Sequence, residues 1–183
     1  MKVKDVGSAS AFHQDWHFTK QNFYDKCGFE LRELALEEGK KYGACSFKLN
    51  GKSILFRAAK QTPKKTGQFV AIWKRDEHGI TRAFADTDEI DFMVISTRQG
   101  TNFGQFIFPK AVLLAHGIIS NGQQQGKRGM RVYPPWDQVS NKQAEKTQSW
   151  QVEYFLNMGE NHAGDIDLLP AKFVQVHTEK NRQ

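Results

Sequence analysis

A chain of 183 residues with 39% hydrophobic and 25% charged residues has the size and composition of one globular domain, 1–183. Its core is expected over about 10–158, with a C-terminal extension over 159–183. No run approaches the roughly 18 apolar residues of a spanning helix, and MKVKDVGSASAFHQDW lacks the apolar stretch of a secretory signal. A cytoplasmic protein with no membrane partner is expected, and a net charge of +6 favours polyanionic partners.

Phe12, Trp16, Phe23 and Tyr24 fall at helical spacings, which predicts an amphipathic helix over residues 8–24 with Ser8 or Ser10 as N-cap and Gly28 as its stop. His13 and His17 stand one turn apart on it, a spacing that suits a metal but lacks a third ligand, so surface histidines beside Trp16 are expected. ELRELALEEGK repeats the helical spacing through Leu31, Leu34 and Leu36, predicting a second helix that Gly39 closes. Alternation then takes over. Tyr42, Ala44, Ser46 and Lys48 lead into Asn50-Gly51, after which Ser53, Leu55, Arg57 and Ala59 alternate, the pattern of a hairpin with a type I′ turn. QTPKKT reads as a basic loop, GQFVAIWKR as a third strand and ITRAFA as a fourth.

Farther on, IDFMVIS and NFGQFIFP have the apolar, β-branched character of buried strands, and AVLLAHGI reads as a short helix that Gly117 closes. NGQQQGKRG is a Gly-rich, basic loop, expected to be mobile until something binds it. MRVYPPW is a strand terminated by Pro134 and Pro135, SNKQAEKTQSWQVEYFL a helix with Ser140 as N-cap, and Phe173–His177 a last short strand. Cys27 and Cys45 form no CxxC pair and have no histidine spacing of a zinc site, so both are expected as reduced thiols.

Charge is segregated along the chain. Between Gly39 and Arg75 there is no acid against ten bases, whereas residues 76–91 carry six acids. From Asp91 the next acid is Asp137, and Arg98, Lys110, Lys127, Arg128 and Arg131 lie between them. From this pattern Arg57, Lys60, Lys64, Lys65, Lys74 and Arg75 are candidates to neutralise phosphates, with Lys127, Arg128 and Arg131 from the Gly-rich segment. Tyr133 and Trp136, together with Trp73, are candidates to stack on bases. A solvated basic face over a core of aromatics is the alternative reading of the same residues.

Asp91 and Lys110 are the candidate catalytic pair. An acid opening one strand of a hairpin and an acid-x-Lys triplet closing the next can hold a divalent metal that activates water, while the lysine steadies phosphate charge. Here the triplet is Phe108-Pro109-Lys110, so its carboxylate is missing, and an earlier frame, Ala58-Ala59-Lys60, lacks it too. Glu37, Glu38, Asp86, Asp88 and Glu89 are the acids that could substitute. No metal site is predicted and no cofactor, with Mg²⁺ or Mn²⁺ entering only if a displaced acid restores nuclease chemistry. No GxSxG, P-loop or GxGxxG pattern appears.

The blocks KYGACSFKLNGKSILFRAAKQTPKKTGQFVAIWKR, IDFMVIS, FGQFIFPK, GKRGMRVYPPWD and NKQAEKTQSWQVEYF resemble the MepB-like family, over roughly residues 25–157. That family is named for a small protein encoded beside a multidrug efflux pump and its repressor. The resemblance implies a restriction-endonuclease-like fold that has lost its metal-binding acids, with nucleic-acid binding as its role. The combined expectation is an α/β (α+β) protein with a mixed central sheet flanked by helices. It is expected to bind DNA or RNA without catalysis; a divalent-metal nuclease and a protein-interaction module are the alternatives.

Overall fold

The computed structural model describes residues 11–160 and 163–174. In chain order, α1 (Gln14–Thr19) runs into a π-helical turn (Lys20–Tyr24) and leads to β1 (Leu31–Leu36). Next come β2 (Cys45–Leu49), β3 (Lys52–Ala58), β4 (Lys60–Thr62), β5 (Lys65–Ala71), β6 (Trp73–Arg75) and β7 (Thr81–Ala83). They are followed by β8 (Phe92–Gln99), β9 (Asn102–Pro109), α2 (Lys110–Ala115), β10 (Gly129–Val132), α3 (Lys142–Gln151), β11 (Phe155–Asn157) and α4 (Leu169–Lys172).

Six strands form the central sheet in the order β1-β2-β3-β8-β9-β11. The β3–β8 pair is parallel and the others are antiparallel, so the sheet is mixed, as expected. Its organising turn is Asn50-Gly51, where both residues have positive φ, 48° and 78°, as a type I′ hairpin demands. Side chains alternate strictly across the central strands. Ile54, Phe56, Phe92, Val94 and Ile107 face one core with Trp16 and Phe23; Leu55, Met93, Ile95, Phe106 and Phe108 face the other. Helix α1 covers the first face, joined there by Leu169 and Phe173 from the 159–183 segment. The second face is covered by a three-stranded sheet, β10-β5-β4, with Val70 and Val132 pointing inward, and by Leu113 of α2. Each fully buried aromatic such as Phe106 or Phe108 contributes about 1.5–3 kcal/mol by leaving water.

Where the helix expected over 30–40 should stand, the chain forms β1 instead. The register of β1 on β2 shifts between Arg32 and Ala35, and Glu33 lies in the left-handed region at φ 53°. That bulge inserts a residue, so Leu31 and Leu34 reach the same core at a spacing of three, which imitates a helical period. The opening helix is shorter than residues 8–24: His13 is its N-cap, with Nδ1 accepting from the Asp15 N–H at 3.1 Å, and Ser8 and Ser10 lie outside the described residues. GQFVAIWKR breaks at Ile72 into β5 and β6, which enter different sheets, and QTPKKT contributes β4 and the turn into β5. Asn141, not Ser140, caps α3, accepting from the Ala144 N–H at 2.9 Å. Phe173 and Val174 follow α4 in a turn, and the rest of the strand expected over 173–177 lies outside the described residues. Cys27 and Cys45 are both free thiols. No helix among the described residues is long and apolar enough to cross a membrane.

Candidate nucleic-acid interface

The second acid-free segment is brought onto the first by β10, which pairs with β5 so that Arg131 lies opposite Phe69 and Met130 opposite Val70. The two-residue period sends Met130 and Val132 into the core and leaves Arg131 and Tyr133 on the outer side. Arg131 then reaches back over the β4–β5 turn, donating from Nη2 to Thr62 Oγ1 at 2.8 Å and from Nη1 to the Gly67 carbonyl at 3.2 Å. Gly67 has φ +83°, and a Cβ there would meet the Tyr133 ring at 2.6 Å, so only glycine lets the tyrosine lie flat on this turn.

From the other side, α3 holds the strand in place. Gln151, 0% exposed, accepts from the Tyr133 N–H at 2.9 Å and donates to the Arg131 carbonyl at 3.0 Å. One amide thus satisfies the outer groups of β10 that no further strand pairs. The Gly-rich segment is also tied down. Asn121 Oδ1 accepts from the Gln123 and Gln124 N–H groups, Ser120 Oγ from Gly126, and the Lys127 N–H bonds the Ile118 carbonyl at 2.8 Å. The expected loop mobility is therefore replaced by a loop folded on its own hydrogen bonds, from which Lys127 and Arg128 project exposed.

Three cavities follow this sheet and share residues. A cleft of about 400 Å³ between β10 and α3 is lined by His116, Lys127, Arg131, Tyr133, Lys146 and Trp150. Arg131 also lines a cavity of about 330 Å³ with Thr62, Pro63, Lys64 and Lys65. Thr62 and Lys65 in turn line a third, about 340 Å³, that reaches Trp136 and Asp137. In the first cleft His116 stacks on Trp150 with ring centroids 3.9 Å apart and planes 10° apart. Burial holds the His116 pKa below its ordinary value; the Glu153 charge opposes this and the Lys127 cation reinforces it. Among the described residues no ion pair involves Lys60, Lys64, Lys65, Lys127, Arg128, Arg131 or Lys146. Lys60 instead places its ammonium 5.6 Å from the Tyr42 ring centre.

Other predicted contacts lie elsewhere. Arg57 is 3% exposed on the inner side of β3, donating to its own neighbour's Phe56 carbonyl at 2.8 Å and lying 5.8 Å from the Phe84 ring centre, out of reach of a polymer backbone. Lys74 pairs with Asp88, and Arg75 with Glu38 while stacking 5.2 Å above Trp73. Trp136, by contrast, lines the third cavity, half-buried and edge-on to Phe155 at 5.5 Å. Asp91 and Lys110 are neighbours at the end of the β8–β9 ladder, the Lys110 N–H bonding the Asp91 carbonyl at 2.9 Å. Their charged ends diverge: the Asp91 carboxylate accepts from the Ser53 N–H at 2.8 Å, and the Lys110 ammonium donates to the Asp88 carbonyl at 2.8 Å. Of the acids able to substitute, Asp88 and Glu89 pair with Lys74 and Lys48, Glu38 with Arg75, and Glu37 accepts from Ser46 Oγ at 2.6 Å. No three His, Cys, Asp or Glu side chains gather as metal ligands among the described residues.

Lys146, Trp150, His116 and Gln151 were not singled out from the sequence. Gln143, Lys146, Thr147 and Trp150 recur at i, i+3, i+4 and i+7, one helix face, so the period of α3 carried a signal for most of this wall.

The MepB-like family model matches residues 37–157, most of the chain and all of the elements that build the three cavities. The crystal structure of MepB superimposes with a TM-score of 0.70 at 31% sequence identity, covering 80% of this chain and 98% of that one. A search of curated proteins finds no match. With the family model over residues 37–157 and the whole of a solved MepB-like fold in register, the chain belongs to the MepB-like family.

Proposed function

We propose that this is a cytoplasmic nucleic-acid-binding protein on a degenerate restriction-endonuclease-like scaffold, without catalysis. The observation that carries the reading is the unbroken run of three cavities along β4–β5–β10, joined by shared residues and bordered by cations that have no carboxylate partner among the described residues. Lys64, Lys65, Lys127, Arg131 and Lys146 take phosphates, with Lys60 and Arg128 at the margins. Tyr133 and the His116–Trp150 stack offer aromatic surface to bases. The metal-dependent nuclease has less support: Phe108 is fully buried where the second acid would stand, and both Asp91 and Lys110 hold backbone groups.

Fluorescence anisotropy with labelled single- and double-stranded DNA and RNA, in EDTA and across a range of salt, tests the reading. Saturable binding with a steep salt dependence is expected, and the preference among the four ligands identifies the polymer. Absence of binding at low salt would discard it. Mg²⁺-dependent cleavage abolished by Asp91→Ala would instead establish the nuclease.

A further inference from the structure

We propose that the cleft between β10 and α3 holds the end of the bound strand by its terminal phosphate, an inference that rests on the nucleic-acid reading above. Two lysines and one ring stack carry it. Lys127 and Lys146 both line this cleft of about 400 Å³, both are exposed, and neither pairs with a carboxylate among the described residues. Lys127 enters from the β10 side and Lys146 from α3, so the cations stand on opposite walls. The His116–Trp150 contact holds those walls together. Lys127 donates its backbone N–H to the Ile118 carbonyl, two residues from His116, and Lys146 stands one turn before Trp150 on the same helix face. With the rings stacked at 3.9 Å, both ammonium groups border the same space. No carboxylate among the described residues lines it; Glu153, whose charge acts on His116, follows the end of α3 outside the lining.

Phosphate chemistry separates the end of a chain from its interior. An internal phosphodiester carries one negative charge and two free oxygens, because its other two oxygens are bonded to the chain on either side. A terminal phosphate carries about two charges near pH 7 and three free acceptor oxygens. Two ammonium groups approaching from opposite walls match the second, since each finds an oxygen facing it and their summed charge equals that of the ligand. Arg131 borders the same cleft but commits its Nη groups to Thr62 and Gly67, which leaves the two lysines as the free charged donors. The stacked rings beside them offer the terminal base an aromatic face. The cavity of Lys64 and Lys65 has no aromatic wall, so it suits an internal phosphate of the same strand.

The test compares three single strands by anisotropy at pH 7.5, in EDTA at low salt: twelve thymidines with a 5′-phosphate, twelve with a 3′-phosphate, and fourteen with hydroxyl ends, which carry the same formal charge. Uridine replaces thymidine where the titrations above favour RNA. At least one phosphorylated strand is expected to bind about tenfold tighter than the hydroxyl-ended strand, the scale of two exposed ion pairs. The end that gains identifies the polarity. Lys127→Ala with Lys146→Ala should bring that ratio to about one, whereas Lys64→Ala with Lys65→Ala should weaken all three strands and keep it. Equal binding of the three strands overturns the inference and leaves the basic surface standing. A ratio that survives the loss of Lys127 and Lys146 overturns the assignment to this cleft. If no strand binds, the nucleic-acid reading fails and the inference falls with it.

Discussion

Two regions of this chain are equally basic as sequence and opposite in the folded protein. Lys48, Lys74 and Arg75 belong to the acid-free run 39–75, yet each lies against an acid, Glu89, Asp88 and Glu38 in turn, and Asp88 and Glu89 also line a cavity of about 780 Å³ with Glu33 and Glu37. Lys64 and Lys65 belong to the same run but sit on the β4–β5 turn, where Arg131 joins them and no carboxylate pairs with either among the described residues. Six acids form a block at 76–91, and the fold lays Asp88 and Glu89 of that block against Lys74 and Lys48, while Arg75 takes Glu38. A compensated cation is a poor site for a phosphate because binding must first displace its partner.

The sharpest way to break this comparison is to strip each region separately. Lys64, Lys65, Lys127 and Arg131 changed together to Ala should lower single-strand affinity about 100-fold and reduce the salt slope by about 3, from roughly 0.7 per phosphate contact. Lys74→Ala with Arg75→Ala should leave both within about twofold. Equal losses in the two titrations would show that pairing with acids does not matter here.

Arg57, read from sequence as a phosphate contact, separates stability from binding. Arg57→Ala should lower unfolding free energy by about 2–3 kcal/mol, measured in urea, because a large buried side chain leaves a cavity. Its effect on affinity should be nil. Gln151→Ala should cost about 1–2 kcal/mol by leaving the Tyr133 N–H and Arg131 carbonyl without their partner. It should also weaken binding, since both outer residues of β10 lose their anchor.

The smallest expected effect is a proton. His116 is neutral near pH 7 because burial holds its pKa down, so it charges only as the pH falls below its ordinary value of about 6.5. Lys127 and Lys146 line the same cleft, and Glu153 acts on it from the end of α3. Affinity for a single strand should rise about threefold on acidification to pH 5, the scale of one exposed ion pair. His116→Gln should lose that increment and keep the affinity seen at pH 8.

Much of the fold was legible in local pattern. Asn50-Gly51 announced its turn because type I′ geometry selects those residues, and the alternation on either side of it required strands. IDFMVIS and NFGQFIFP showed themselves as central strands because both faces of the sheet are buried. The bulge at Glu33 hid β1, since an inserted residue turns a period of two into a spacing of three. Of the candidate site, Lys64, Lys65, Lys127, Arg131 and Tyr133 were visible through the depletion of acids, and the fold assembles them on one sheet. Lys146 and Trp150 were missed because α3 lies in a segment of mixed charge, where no single residue stands out.

The amino-acid sequence by itself determined the hairpins, the buried central strands, the excess of positive charge and the family, since each depends on neighbours along the chain or on residue identity. Only the tertiary structure decided which cations keep their charge uncompensated. That choice depends on residues far apart in sequence, as when Arg131 crosses to Thr62 and Gly67, or Lys48 meets Glu89. Pairing of charges is a property of distance in space, and a one-dimensional pattern carries that distance only where backbone geometry fixes it.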